Sequence, residues 1–182
     1  FAYMPVQDFG NAFSTFIAQN YGAKQNDRIR SGLKSAVLIS ASFCVVLSAF
    51  VCAFAKPLML LFVDAGETEI LREGVRYLHI EGSFYCGIGC LFLLYGLYRA
   101  LGKPGMSVVL TVISLGTRVA LAYLLSSLPS IGVTGIWWSV PIGWVLADFV
   151  GFVYYKKRIN LYDGSQPVSY THLRAHETRH DL

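Results

Sequence analysis

Charge is what this sequence has least of. Its 182 residues include 15 Lys and Arg and 11 Asp and Glu, 14% in all, where a soluble domain carries roughly 25%. With 54% hydrophobic residues and a mean hydropathy of +0.50, the composition excludes an ordinary soluble domain, and no nucleic-acid partner is expected. Cysteine is also sparse. Cys44, Cys52, Cys86 and Cys90 all fall in apolar runs, so neither a disulfide framework nor a cysteine metal site is indicated; packing between helices is the plainer use of such small, polarizable side chains. Strict apolar/polar alternation is missing, which excludes barrel strands. A signal peptide is not evident and the first residue is Phe1, so the chain reads as an internal fragment.

What is present is a series of long apolar runs. Ala36 to Ala55 contains no ionisable side chain except Cys44 and Cys52, a length that matches a hydrocarbon core of ~30 Å. Other runs carry one charged interruption each: Asp8, Glu81, Arg118 and Asp148. The expected fold is all-α, a polytopic membrane helix bundle over residues 1–162. It has about five transmembrane helices, near 2–22, 35–62, 77–99, 105–128 and 131–155. The lipid bilayer is the first partner. Pro141 is expected to kink the last span, and Gly82, Gly87 and Gly89 to permit close helix approach.

Loop charge gives an orientation. Lys24, Arg28, Arg30, Lys34, Arg99, Lys103, Lys156, Lys157 and Arg158 fall on one side. The other side has Lys56, Arg72 and Arg76 against Asp64, Glu67, Glu69 and Glu73. The positive-inside rule puts the first group in the cytoplasm, with the end of the last span.

A charge at mid-bilayer costs at least ~2.5 kcal/mol and persists where it is paired or meets water. At ~1.5 Å per residue, Asp8 lies roughly 21 Å and Arg118 roughly 20 Å from the cytoplasmic ends of their helices, and Glu81 roughly 28 Å. Depth therefore predicts an outer cluster of Asp8, Glu81 and Arg118, with Asp8 the leading candidate to bind a coupling cation or substrate. The plain alternative is a fixed ion pair that orders the bundle, and for Glu81 a carboxylate that snorkels to water. Asp148, roughly 12 Å deep, is expected apart from the cluster, as a second polar station or a bond to a neighbouring helix. Tyr85 shares a face with Glu81 by i, i+4 spacing. Tyr77, Tyr95 and Trp144 are candidates for an interfacial belt or a cavity lining, and Trp137 and Trp138, near the outer face, are read as belt residues.

The stretch "AQNYGAKQNDRIR", Ala18 to Arg30, resembles the GQNxGAxxxxR signature of multidrug and toxic compound extrusion (MATE) transporters, with Ala18 in place of the first glycine. "RYLHIEGSFY", "LYRALGKPGMSVVLTVISLGTRVALAYLL" and "IGVTGIWWSVPIGWVLADFVGFVYY" resemble the helices that follow it in that family, in order. The resemblance covers about Phe1 to Tyr162. It implies five helices of the second lobe of a twelve-helix antiporter that exports small amphipathic or cationic compounds in exchange for Na⁺ or H⁺, with no other cofactor. The remaining partner would be the missing N-terminal lobe of the same polypeptide. The family commonly carries coupling carboxylates on its first or seventh helix, neither of which would be present, so the Asp8–Glu81–Arg118 cluster is not inherited from the resemblance. A lipid-linked oligosaccharide exporter of the same superfamily is the alternative, with Arg118 as its thin support.

An enzyme reading rests on the tail. His176-Glu177-Thr178-Arg179-His180 satisfies HExxH, in which two histidines on one helix face bind zinc and the glutamate acts as base, and His172 adds a third imidazole. Little apolar surface accompanies it, however, and Val168 to Thr178 resembles a one-frame translation of a transposase-based sequencing adapter. Residues 163–182 are therefore expected to be a non-native or disordered tail, set aside from fold reasoning. The expectation is a transporter segment and not an enzyme.

Overall fold

The computed structural model describes residues 4–158, which are helical throughout apart from short connections. The HETRH tail lies outside them. The order is α1 (Met4–Gly22), α2 (Asn26–Ala53), α3 (Ala55–Leu60), α4 (Thr68–Ser83), α5 (Tyr85–Ala100), α6 (Pro104–Ser126) and α7 (Val133–Arg158).

Local chemistry explains where these helices stop and bend. Pro57 clashes with the carbonyl four residues earlier, which is that of Ala53, and α2 ends there with Phe54 separating it from α3. His79 then meets the Cys52 carbonyl through Nε2 at 3.0 Å. The α4–α5 pair is one span bent by 49° at Phe84. The adjacent Gly82-Ser83 pair is a recognised cause of such bends, and Ser83 Oγ bonds the His79 carbonyl at 2.6 Å, a back-bond that also bends helices. Between α5 and α6, Gly102 adopts φ +68°, the left-handed C-terminal position glycine fills best, and Pro104 opens α6 where its missing N–H has no penalty. Pro141 is buried inside α7, which nevertheless runs unbroken from Val133 to Arg158.

By length and composition α2, α6 and α7 can each cross a membrane, and the bent α4–α5 pair makes a fourth. The expected span at 2–22 appears as α1, 19 residues long, and is less apolar than the others because Gln7, Asp8, Asn11, Thr15 and Gln19 punctuate it. The bent span α4–α5 sits in the middle. Helices α1 and α2 pack on one flank of it, α6 and α7 on the other, and α1 touches neither α6 nor α7. Accordingly α5 belongs to two cores. Leu93 and Leu97 meet Phe13, Ile17 and Ile29, whereas Leu91, Leu94 and Tyr98 meet Leu110, Trp144 and Ala147. Tyr98 is fully buried and donates its hydroxyl to the Gly151 carbonyl of α7. The apolar side chains left outside, such as Leu38, Val46, Val112 and Phe149, suit a lipid surface, where helices satisfy their backbones internally.

The cysteines divide. Cys44 is buried, Cys52 half-buried, and Cys86 and Cys90 are exposed, all as free thiols.

Candidate functional site

The interior of the α4–α7 flank is polar. Glu81 lies one turn before the bend, and Tyr77 one turn before Glu81 hydrogen-bonds it through the phenol. The Tyr77 ring packs edge-on against Trp137 of α7, with centroids 4.9 Å apart and planes at 60°. From α6, Arg118 acts electrostatically on both Glu81 and Tyr77. Its guanidinium lies 5.2 Å from the centroid of the Trp144 ring, an arrangement worth about 2 kcal/mol when desolvated. Tyr95 of α5 is within electrostatic reach of both Arg118 and Asp148, and Asp148 neighbours the Cys90 thiol.

Helix packing permits this arrangement at one tight point. A Cβ on Gly143 would stand 2.7 Å from the Ser114 carbonyl and 3.0 Å from Arg118 Cγ. Only glycine lets α6 and α7 approach where Arg118 leaves its helix.

The seam is incompletely paired. Arg118 Nε, Trp137 Nε1, Trp144 Nε1 and Asp148 Oδ1 are buried without a hydrogen-bond partner. An unmet polar group in an apolar surround costs roughly 2–7 kcal/mol, so such groups mark a place for water, an ion or a substrate atom. Among the described residues no three His, Cys, Asp or Glu side chains are grouped to hold a metal.

The expected cluster of Asp8, Glu81 and Arg118 forms only in part. Glu81 and Arg118 come within electrostatic reach of each other without forming an ion pair, but Asp8 is exposed on α1, which packs on α5 and α2 and not on α4 or α6. Depth along the helix matched; direction around it did not. Asp148, expected apart, forms no ion pair with Glu81 or Arg118 among the described residues. Tyr85 is buried, 8% exposed, and packs with Val6, Cys44 and Val51 on the α1–α2 flank. The bend at Phe84 breaks the helical face it was expected to share with Glu81, although it still feels that carboxylate. Trp137 is turned inward onto Tyr77 instead of forming a belt, while Trp138 is 41% exposed and stacks on Phe84. Sequence reasoning gave Tyr77 and Trp144 only as belt or lining candidates and Cys90 only as a packing residue, without connecting them to Glu81 or Asp148. A usable signal was present for two of them, since Tyr77–Glu81 and Trp144–Asp148 are both i, i+4 pairs.

Known proteins give this geometry a context. The MatE family model matches residues 1–124. The chain belongs to the MatE family. This MatE chain is 28% identical over 155 residues to the probable multidrug resistance protein YpnP of Bacillus subtilis, covering 84% of the chain and 34% of that protein. It is 25% identical over 154 residues to the probable multidrug resistance protein YoeA of the same organism, covering 84% and 33%. It thus spans about a third of the length of the curated relatives it matches. Among solved structures, the inward-facing conformation of a multidrug resistance MATE family transporter of the MOP superfamily superposes with a TM-score of 0.82 at 21% identity, over 91% of this chain and 38% of that one. At that identity the likeness speaks for the fold: an all-α membrane protein, built as MATE transporters are. The MatE match includes Glu81 and Arg118, and Asp148 lies beyond it.

Proposed function

We propose that this MatE segment supplies five spans of the second lobe of a cation-coupled antiporter, which exports drugs or organic cations in exchange for Na⁺ or H⁺. Its membrane is the cytoplasmic one, with the end of α7 inside, as the excess of Lys and Arg in alternate loops favours. The other lobe of the same polypeptide is its partner, and the work is transport, not catalysis.

The observation that supports this reading is the half-buried Glu81 carboxylate in an apolar span, beside the Tyr77 phenol and within electrostatic reach of Arg118. A coupling cation that reaches Glu81 competes with Arg118 for the same charge, so occupation and release of the arginine exclude one another. Because interactions of this kind strengthen in a low-dielectric interior, a single cation can shift the balance between two arrangements of the lobe. An exporter of lipid-linked sugars would instead need several cationic side chains for pyrophosphate, and the α6–α7 flank offers Arg118 alone away from its helix ends, stacked on Trp144.

The test is Glu81→Gln in the full-length protein, reconstituted in vesicles with imposed Na⁺ or pH gradients. Gradient-driven efflux of a cationic dye should be lost while dye binding persists. Unaltered gradient dependence would overturn the coupling role of Glu81.

A further inference from the structure

We propose that the groove between α1 and α2 binds an anionic phospholipid, with the headgroup at Arg28 and an acyl chain laid along the phenylalanines of α1. The proposal needs only the membrane-spanning fold and is independent of the coupling role given to Glu81.

The sequence explains why there is a hollow. Toward α1, α2 presents Ser31, Gly32, Ser35 and Ala36, small residues that share one face through their i, i+4 spacing. Phe9, Phe13 and Phe16 of α1 stand opposite, and the space left between them is an open groove of about 530 Å³. The Phe16 ring rests where a side chain on Gly32 would stand, so that glycine sets how near the wall comes. Phe9 and Ile39 also line a second hollow of about 150 Å³ that runs on toward Pro5 and Phe43. From Arg28 to Phe43 is roughly 22 Å along α2 at ~1.5 Å per residue, which exceeds one leaflet of a ~30 Å hydrocarbon core.

Charge says which lipid. Arg28 lines the groove from the first turn of α2, is exposed, and belongs to neither ion pair among the described residues. Lys24, Arg30 and Lys34 are its neighbours in sequence, with Asp27 as the single acid among them. A cluster of about four basic residues beside a membrane helix is enough to attract anionic headgroups. A guanidinium matches phosphate oxygens in a bidentate manner, and the Ser31 and Ser35 side chains lie on the same face to receive the headgroup.

The two open sides of α1 differ in chemistry, and this favours lipid over protein in the groove. Phe9, Ala12 and Phe16 line the α2 side, whereas Gln7, Asn11 and Thr15 are exposed on the other, where Arg99 donates to Asn11 Oδ1 at 2.8 Å. In a bilayer the polar side needs water or protein to meet it. The groove side does not. It is continuous along α2 with the exposed Leu38, Val45 and Val46, a surface that suits acyl chains.

The experiment places the full-length protein in nanodiscs of phosphatidylcholine doped with phosphatidylglycerol or phosphatidylcholine that carries a photoreactive diazirine on an acyl chain. Labelled peptides are then mapped by mass spectrometry. The phosphatidylglycerol probe should label the segments 9–16 and 31–39 about fivefold more than the phosphatidylcholine probe, a factor equal to the ~1 kcal/mol that one basic side chain contributes near an anionic surface. Arg28→Gln should remove that preference, and Lys34→Gln, which does not line the groove, should keep it. Equal labelling by the two probes overturns the proposal, and this comparison on the wild type requires no variant to fold. A preference lost equally in Lys34→Gln also overturns it, because diffuse surface charge would then be the cause. The same holds for a preference abolished by millimolar inorganic phosphate, which would make Arg28 a site for soluble anions. Segments unlabelled by either probe overturn it as well, since another helix of the polypeptide would then fill the groove.

Discussion

The two flanks of the bent span handle polar side chains in opposite ways. On the α1–α2 flank the core is apolar, built from Phe13, Ile17, Ile29 and their neighbours, while Gln7, Asp8, Asn11, Thr15 and Gln19 form an exposed stripe along α1. On the α6–α7 flank the outer surface is apolar, with Val112 and Phe149 above 60% exposure, and the charges are inside. The cause is rotation about the helix axis. Asp8 lies two residues from both Val6 and Gly10, the buried face of α1, and two residues are about 200° of turn. Arg118 lies four residues from the buried Ser114, about one turn, so it points the same way. Two charges at the same depth therefore have different surroundings.

The largest effect should follow from removing Arg118. Arg118→Ala removes the cation whose charge reaches Glu81 and the guanidinium over the Trp144 ring, and the combined loss should destabilise by about 3 kcal/mol, the upper end of ordinary single substitutions. Full-length protein carrying it should show a marked fall in melting temperature by detergent thermal-shift measurement. Adding Glu81→Gln should restore part of the loss, because one of the unpaired charges is removed. A double variant no better than the single would mean that Arg118 acts through packing, and the contrast between flanks would lose its electrostatic basis.

Next in size are the close helix contacts. Gly96 and Gly143 each bring two backbones together, Gly96 against the Gly10 carbonyl at 2.6 Å and Gly143 against the Ser114 carbonyl at 2.7 Å, measured from an added Cβ. Alanine at either position should destabilise by about 1–3 kcal/mol, as overpacking does. The two should part in function. Gly143→Ala pushes on Arg118 Cγ and should also alter the cation dependence of transport, whereas Gly96→Ala should lower stability alone.

The difference between the flanks also explains which features could be read from the sequence. Helical spans, their order and the family resemblance of "QNYGA" were legible, since runs of apolar residues and loop signals are local. The breaks were half legible. Pro57 announces the end of α2, yet α3 continues the same path, and 35–62 reads as one span. The α4–α5 bend rests on Gly82 and Ser83, residues equally at home in a straight membrane helix. The site was legible in content, since Glu81, Arg118 and Asp148 stand out as charges in apolar runs. Their grouping was not, because depth is set by counting along one helix, whereas facing is set by the packing of α6 on α7 and of α4 on α7.

A smaller effect is expected at Tyr77. Replacing it by Phe removes the phenol bonded to Glu81 and keeps the ring against Trp137. A hydrogen bond to a charged group contributes about 1.5–3 kcal/mol. The apparent affinity for the coupling cation should shift by about tenfold or more, a factor equal to about 1.4 kcal/mol, with little change in melting temperature. Gradient-driven efflux titrated against cation concentration would read it. A loss of stability with unchanged affinity would make Tyr77 a packing residue, like the apolar core of the other flank.

Smallest of all should be Asp8→Asn. The side chain is exposed, no hydrogen bond or ion pair to another described side chain reaches it, and its helix packs through the opposite face. Substitutions at such positions fall within about 0.5 kcal/mol, so the thermal-shift midpoint should be indistinguishable from wild type, in contrast to Arg118→Ala at similar depth. The pair isolates direction as the variable, since both residues are charged and both lie roughly 20 Å from the cytoplasmic ends of their helices. If Asp8→Asn instead lowered stability as Arg118→Ala does, the exposed stripe of α1 would have to be covered by another part of the full-length protein that binds this carboxylate. The two flanks would then differ in which partner buries their charges, and the distinction between an inward-charged and an outward-charged flank would hold for this segment alone.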